Sequence, residues 1–339
     1  MLIVLGLTLA ALYAVVIGAN DMANVVAPLI GSGIAKYKHV AIIFSISVVA
    51  GSLLQGYMVM KTLGKGVVKD LDLYGAVSAS LAAIVWVSVA TRFGLPVSTS
   101  QSITSGVIGV GVAHILQTGI IESMNFNVVR NIVISWAASP LLALTLSAIL
   151  YFALGRAFRS FSNNNNLLKK LGMLIAGYNG YSFGANDVAN ATGVYLAVAG
   201  SLLTVPGIDA RILLAAYGAF FIVLGGILFG KRVVNTMAFS VTRLNPIGSI
   251  ASSLVTASSV WLFTTIPYLL LGFGIPVSTT YIAVGSIMGV GVAAAKSIRR
   301  GLNLKIVALI MLSWVLTLPF VSALSMGLYY GLTTLFQGA

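Results

Sequence analysis

The sequence predicts an all-α integral membrane protein of about 10–12 transmembrane helices, built as two inverted repeats with discontinuous helices or hairpins. Three observations predict it: a near absence of charge, a succession of membrane-length apolar runs, and two polar motifs that each occur twice. Of 339 residues, 59% are hydrophobic and only 7% charged, with a mean hydropathy of +1.04. A soluble domain carries roughly a quarter charged residues, so this chain could not keep its surface in water. The deficit runs along the whole chain, which one anchor helix would not explain, so a polytopic bundle in a lipid bilayer follows.

Apolar stretches fall at 2–33, 39–60, 74–92, 102–121 and 127–154, and again at 171–200, 211–230, 248–272, 281–295 and 304–335. A span needs about 20 residues. The first, sixth and last stretches exceed one straight helix, and the short ones beside Gly94 and Gly274 read as hairpin arms. No basic residue precedes Lys36, so a secretory signal is not expected. There is no cysteine, which excludes disulfides and thiolate metal sites, and His39 and His114 stand alone as span-end residues.

The net charge of +13 fits basic cytoplasmic loops better than nucleic acid, because no basic run with interleaved aromatics lies outside the apolar spans. Ten crossings place 14 of the 19 Lys and Arg residues on one side and 5 on the other. The positive-inside rule makes the richer side cytoplasmic. Both termini of this cytoplasmic (inner) membrane protein then face outward, and the asparagine-rich stretch at 160–166 faces the cytoplasm.

GANDMAN at 18–24 returns as GANDVAN at 184–190, and GLPVSTS at 94–100 returns as GIPVSTT at 274–280. The second match runs on to GVGVA at 109–113 and 289–293, read as close helix packing. Ser135-Trp136 recurs as Ser313-Trp314, and the first offset also equates Gly64-Lys65 with Gly230-Lys231. The order is preserved, so the chain divides into a first repeat (1–154), a cytoplasmic linker (155–170) and a second repeat (171–339). Five crossings per half would insert the halves with opposite orientation.

Of the six acids, only Asp21 and Asp187 lie inside long apolar stretches, and they are equivalent under the repeat. An aspartate at mid-membrane costs about 2.5–3.5 kcal/mol on insertion scales. No Lys or Arg lies in either motif, so the expected partner is a mobile cation. Asn20, Asp21 and Asn24 group on one helix face, as do Asn186, Asp187 and Asn190. Carboxylate and amide oxygens are hard ligands that suit a small cation such as sodium. Gly18, Gly184, Gly193 and Pro28 are expected to break the helix and free further carbonyls. Alternatively, these residues are polar helix contacts.

In the other motif, Gly-x-Pro followed by Ser and Thr reads as a turn ending in a helix N-cap. Helix N-termini favour anions. The hydroxyls of Ser98, Thr99, Ser100, Ser278, Thr279 and Thr280, with Gln101 beside them, could cradle a tetrahedral oxyanion. Plain helix capping is the alternative.

The paired GAND-x-AN and G-x-PVST motifs resemble the inorganic phosphate transporter family over nearly the whole chain. That resemblance implies symport of phosphate with sodium or protons. Asp21, Asn24, Asp187 and Asn190 match the family's signature positions, and Ser98, Thr99, Ser278 and Thr279 match its hairpin positions. Where the signature continues with Gly-Thr, this chain has Ala27-Pro28; Thr192-Gly193 is closer to the pattern. The reading is therefore sodium-coupled phosphate symport by alternating access, with sodium as coupling ion, no other cofactor, and a homo-oligomer compatible with it. Alternatives are proton-coupled phosphate or metal–phosphate symport, a sulfate permease and, remotely, an intramembrane aspartyl protease.

Overall fold

The computed structural model describes residues 2–69, 71–157, 165–202 and 207–337. Residues 158–164, the middle of the expected linker, lie outside this range. The first half runs α1 (Leu2–Gly31), α2 (Tyr37–Gln55), short α3 (Tyr57–Lys61), α4 (Leu73–Arg92), α5 (Thr99–Thr118) and α6 (Phe126–Ala157). The second runs α7 (Asn165–Leu202), α8 (Gly207–Phe229), short α9 (Lys231–Asn235), α10 (Pro246–Leu271), α11 (Thr279–Ala295), short α12 (Ile298–Gly301) and α13 (Leu304–Gln337). A π-helical turn follows both α3 and α9, at Thr62–Gly66 and Thr236–Ser240. The same succession therefore occurs twice.

Among the described residues, seven helices are long and apolar enough to cross a membrane: α1, α2, α4, α6, α8, α10 and α13. Most of the remaining length is in α5, α7 and α11; α5 and α11 open on the two Ser/Thr motifs and α7 carries the second Asn/Asp motif. The chain is a multi-pass membrane protein. Its outer surface is apolar, with Leu270, Val315 and Leu335 each at least 70% exposed, as a bilayer requires.

The expected helix breaks at the first polar motif and its copy do not occur. Helix α1 stays helical through Gly18 and Pro28, and α7 through Gly184 and Gly193. The glycines serve close approach instead. A Cβ on Gly18 would lie 1.8 Å from the Ile222 carbonyl oxygen, and one on Gly225 would lie 1.9 Å from that of Val15. The equivalent pair joins α7 to α2, with Gly184 at 2.2 Å from the Val48 oxygen and Gly51 at 1.9 Å from the Tyr181 oxygen. Small residues let membrane helices meet backbone to backbone, where packing replaces the missing hydrophobic drive. Breaks fall elsewhere, at the two short helices with their π turns and at 93–98 and 272–278.

The halves exchange partners. Helix α1 packs on α8 and α7 on α2, while α5 packs on α13 and α11 on α6. The GVGVA glycines make the latter contacts, with Gly109 against the Ser322 carbonyl and Gly289 against that of Leu144. One sequence register is corrected. Gly230 precedes α9 as Gly56 precedes α3, both in right-handed helical conformation. Gly64-Lys65 sits in the π turn, so Gly56 is the counterpart of Gly230. A Gly-Lys dipeptide carries too little information to fix register across an insertion.

Gly18→Ala and Gly225→Ala must push α1 and α8 apart, and overpacking of this kind costs about 1–3 kcal/mol. Both should lower the melting temperature in detergent, measured by intrinsic fluorescence. Gly327→Ala and Gly331→Ala, whose added methyls meet nothing within 4 Å, should not lower it.

Candidate functional site

Hairpin α4–α5 turns at 93–98 and hairpin α10–α11 at 272–278, and both turns end deep in the bundle. Val97 and Val277 are fully buried. Extended backbone at this depth needs hydrogen-bond partners, and one asparagine serves each tip. Asn20 donates to the Thr91 hydroxyl (2.9 Å) and the Leu95 carbonyl (3.0 Å), and accepts from the Val97 amide (3.1 Å). Asn186 donates to the Val277 carbonyl (2.9 Å) and accepts from the Val277 amide (3.3 Å) and the Thr264 hydroxyl (3.4 Å). Asn20 and Asn186, expected as cation ligands, are bound to the hairpin tips here.

Ser98 and Ser278 cap α5 and α11. Their hydroxyls accept from the amides of Gln101 and Tyr281, each at 3.0 Å. The remaining hydroxyls face the acids. Thr99 donates to Asp21 at 2.6 Å, and Thr280 approaches the other Asp21 oxygen at 3.1 Å. Thr279 reaches Asp187 at 3.4 Å, and Asn190 donates to the same oxygen at 2.9 Å. The asparagines cross between halves: Asn24 donates to Thr279 and Thr280 (3.2 and 3.1 Å), and Asn190 to Thr99 and Ser100 (3.4 and 2.9 Å). Ser100 closes on the Val277 carbonyl at 2.9 Å, and Thr280 lies 3.1 Å from that of Val97. All the sequence-predicted residues thus meet in one buried cluster, Gln101 accepting from the Tyr281 hydroxyl.

The electrostatics are one-sided. Asp21 and Asp187 are fully buried, and their partners are hydroxyls and amides, with no basic side chain among the described residues. Among the described residues of the cluster, Asn24 Oδ1 and Asn190 Oδ1 are acceptors without a partner, and these positions are equivalent in the two repeats. The cluster therefore combines two carboxylates and two free amide oxygens with helix N-termini and hydroxyls from both hairpins. It offers hard oxygen ligands for cations beside donors for an oxyanion.

Sequence reasoning missed several supports. Tyr13 donates to the Thr99 carbonyl at 2.7 Å, and Asn179 to the Asn24 carbonyl at 3.3 Å. Tyr13 and Asn179 are equivalent in the repeat, and each lies seven residues before the motif's first asparagine, on the same helix face. That spacing was the available signal. Tyr281 was also missed; it stacks on Trp314 with ring centroids 3.8 Å apart, and Trp314 Nε1 donates to the Pro96 carbonyl at 3.1 Å.

Two buried hairpin tips meeting buried acids in a helical membrane bundle are an arrangement typical of solute transporters. The profile of the phosphate transporter family matches residues 17–169 and 156–325. This chain belongs to that family. It is 27% identical to a solved structure described as the sodium-dependent phosphate transporter, with a TM-score of 0.84 over 99% of this chain and 100% of the other. It is 30% identical to the sulfate permease CysP of Bacillus subtilis, covering 96% of this chain and 86% of that protein. A candidate phosphate permease of Thermococcus kodakarensis is 25% identical over 92% of this chain and 93% of its own.

Asn20→Ala removes three hydrogen bonds from the first tip, each worth about 0.5–1.5 kcal/mol. The chain has no cysteine, so one introduced as Val97→Cys reports on that tip alone. Its thiol should react with a maleimide about tenfold faster or more when Asn20→Ala is added.

Proposed function

We propose that this protein carries inorganic phosphate across the cytoplasmic membrane by sodium-coupled symport, its two halves forming an inverted repeat that alternates access to the central cluster. The observation that carries the reading is the pair of repeat-related, unpartnered oxygens Asn24 Oδ1 and Asn190 Oδ1 beside Asp21 and Asp187. Sodium held there neutralises the acids and makes an otherwise anionic site attractive to phosphate. The hydroxyls of Thr99, Ser100, Thr279 and Thr280 and the N-termini of α5 and α11 then donate to the oxyanion. Cation and anion must bind cooperatively, because phosphate without the cation meets two carboxylates. The basic excess favours an outer position for the ends of α1 and α13, Leu2 and Gln337.

Sulfate is the second reading, favoured by the 30% identity to a sulfate permease. The chemical difference is one proton. Phosphate in its singly or doubly charged form can donate a hydrogen bond to a carboxylate, which sulfate cannot, and a site built for that donor rejects the analogue lacking it.

Radiolabelled phosphate uptake into proteoliposomes tests both readings. An inward sodium gradient should drive uptake and a proton gradient alone should not. Asp21→Asn and Asp187→Asn should each lower uptake by about 10-fold or more, the scale of one charge-assisted contact. Asn24→Ala and Asn190→Ala should raise the sodium concentration needed for half-maximal uptake. Uptake driven equally by protons discards sodium, and labelled sulfate carried in preference to phosphate reassigns the anion.

A further inference from the structure

Beside the first hairpin a groove of about 690 Å³ opens between α4 and α8, floored by α1 and closed at one end by α9. Its size falls within the range of small-molecule sites, about 300–1,000 Å³. Its walls are of two kinds. Val15, Val16 and Phe229 make an apolar floor and side, and Phe229 is 57% exposed toward the surrounding lipid. At the end lie three basic side chains, Arg92, Lys231 and Arg232, and no acid lines the groove. These residues belong to the basic-rich side of the protein.

We propose that this groove binds an anionic phospholipid, its headgroup phosphate held by Arg92, Lys231 and Arg232 and an acyl chain laid over Val15, Val16 and Phe229. Charge complementarity and the apolar floor select this occupant together. Free phosphate would shed water against valine and phenylalanine with nothing to replace it. An acyl chain gains by the same burial. Basic pockets between transmembrane helices hold anionic headgroups in this way.

The position gives the lipid a consequence for transport. Arg232 already joins α9 to the end of α4 through the Arg92 carbonyl, at 3.0 Å. A Cβ on Gly94 would lie 3.0 Å from the Thr236 hydroxyl, so the first tip leans on the segment after α9. A headgroup bridging Arg92 to Lys231 and Arg232 ties the same two elements. Thr91, part of the Asn20 clamp, lines the groove as well. The lipid therefore holds the first hairpin against the second half.

Native mass spectrometry of protein equilibrated in mixed phosphatidylcholine and phosphatidylglycerol tests this without any transport readout, so its outcome is separate from the choice of substrate or coupling ion. Wild type should retain phosphatidylglycerol over phosphatidylcholine. Lys231→Gln, which leaves the Arg232–Arg92 bond in place, should lower that preference about fivefold, and Lys231→Gln with Arg92→Gln further, at about 1 kcal/mol per basic residue. Lys169→Gln with Lys170→Gln, on the exposed start of α7, should retain lipid as wild type does. Equal retention by all variants overturns the proposal. So does thermal protection of wild type, but not Lys231→Gln, by millimolar inorganic phosphate in phosphatidylcholine alone, which assigns the groove to free phosphate.

Discussion

Two carboxylates buried in a membrane-spanning bundle, with no basic partner among the described residues, are the constraint on which the rest of this structure depends. Each costs about 2.5–3.5 kcal/mol at mid-membrane on insertion scales. A hydrogen bond to a charged group returns about 1.5–3 kcal/mol, so each acid needs more than one donor. The backbone of α1 and α7 supplies none, because its amides are used within the helix. The hairpins bring Thr99 and Thr280 to Asp21 and Thr279 to Asp187, which also accepts from Asn186 and Asn190 of its own helix. For those hydroxyls to reach the acids, non-helical backbone has to enter the membrane interior. Asn20 and Asn186 then have to satisfy that backbone. The polar motifs of α1 and α7 are therefore two halves of one requirement, a charge and the clamp that delivers its donors.

The exchange of partners between halves follows from the same need. Asn24 of the first half bonds Thr279 and Thr280 of the second, and Asn190 of the second bonds Thr99 and Ser100 of the first. Neither motif is complete within its own repeat. The glycine contacts of α1 on α8 and of α7 on α2 bring these motifs to a common centre. Backbone contacts made through glycine let these helices approach more closely than side chains would allow.

The ten long helices and the two hairpins were legible because apolar length and repeated motifs report them directly. So was the meeting of the site residues, since a buried acid in each repeat demands company. The continuity of α1 and α7 was not legible. Glycine and proline mark both a break and a close approach, and only the neighbouring carbonyls of Ile222 and Val48 distinguish the two. The hold of Asn20 and Asn186 on the hairpin tips was not legible for a related reason. Helical spacing puts each on the same face as its aspartate, but that face is wide enough to hold a hairpin tip as well as an ion. Tyr281 escaped notice because its counterpart, Gln101, has a different side chain.

That last pair shows where the two halves stop being equivalent. Gln101 and Tyr281 follow the caps of α5 and α11 at the same position, and the tyrosine hydroxyl donates to the glutamine oxygen. A perfectly symmetric site would place two identical side chains there, and two tyrosines or two glutamines would have to share donors less directly. The asymmetry extends outward. Trp314 stacks on Tyr281 and donates to the Pro96 carbonyl, whereas its repeat counterpart Trp136 has a buried Nε1 without a partner. The first tip is thus braced by an aromatic stack that the second lacks. One hydrogen bond is worth about 1 kcal/mol net, and 1.4 kcal/mol is a tenfold population bias. A difference of that size between tips of nearly equal architecture makes the first hairpin the more firmly held of the two without locking either.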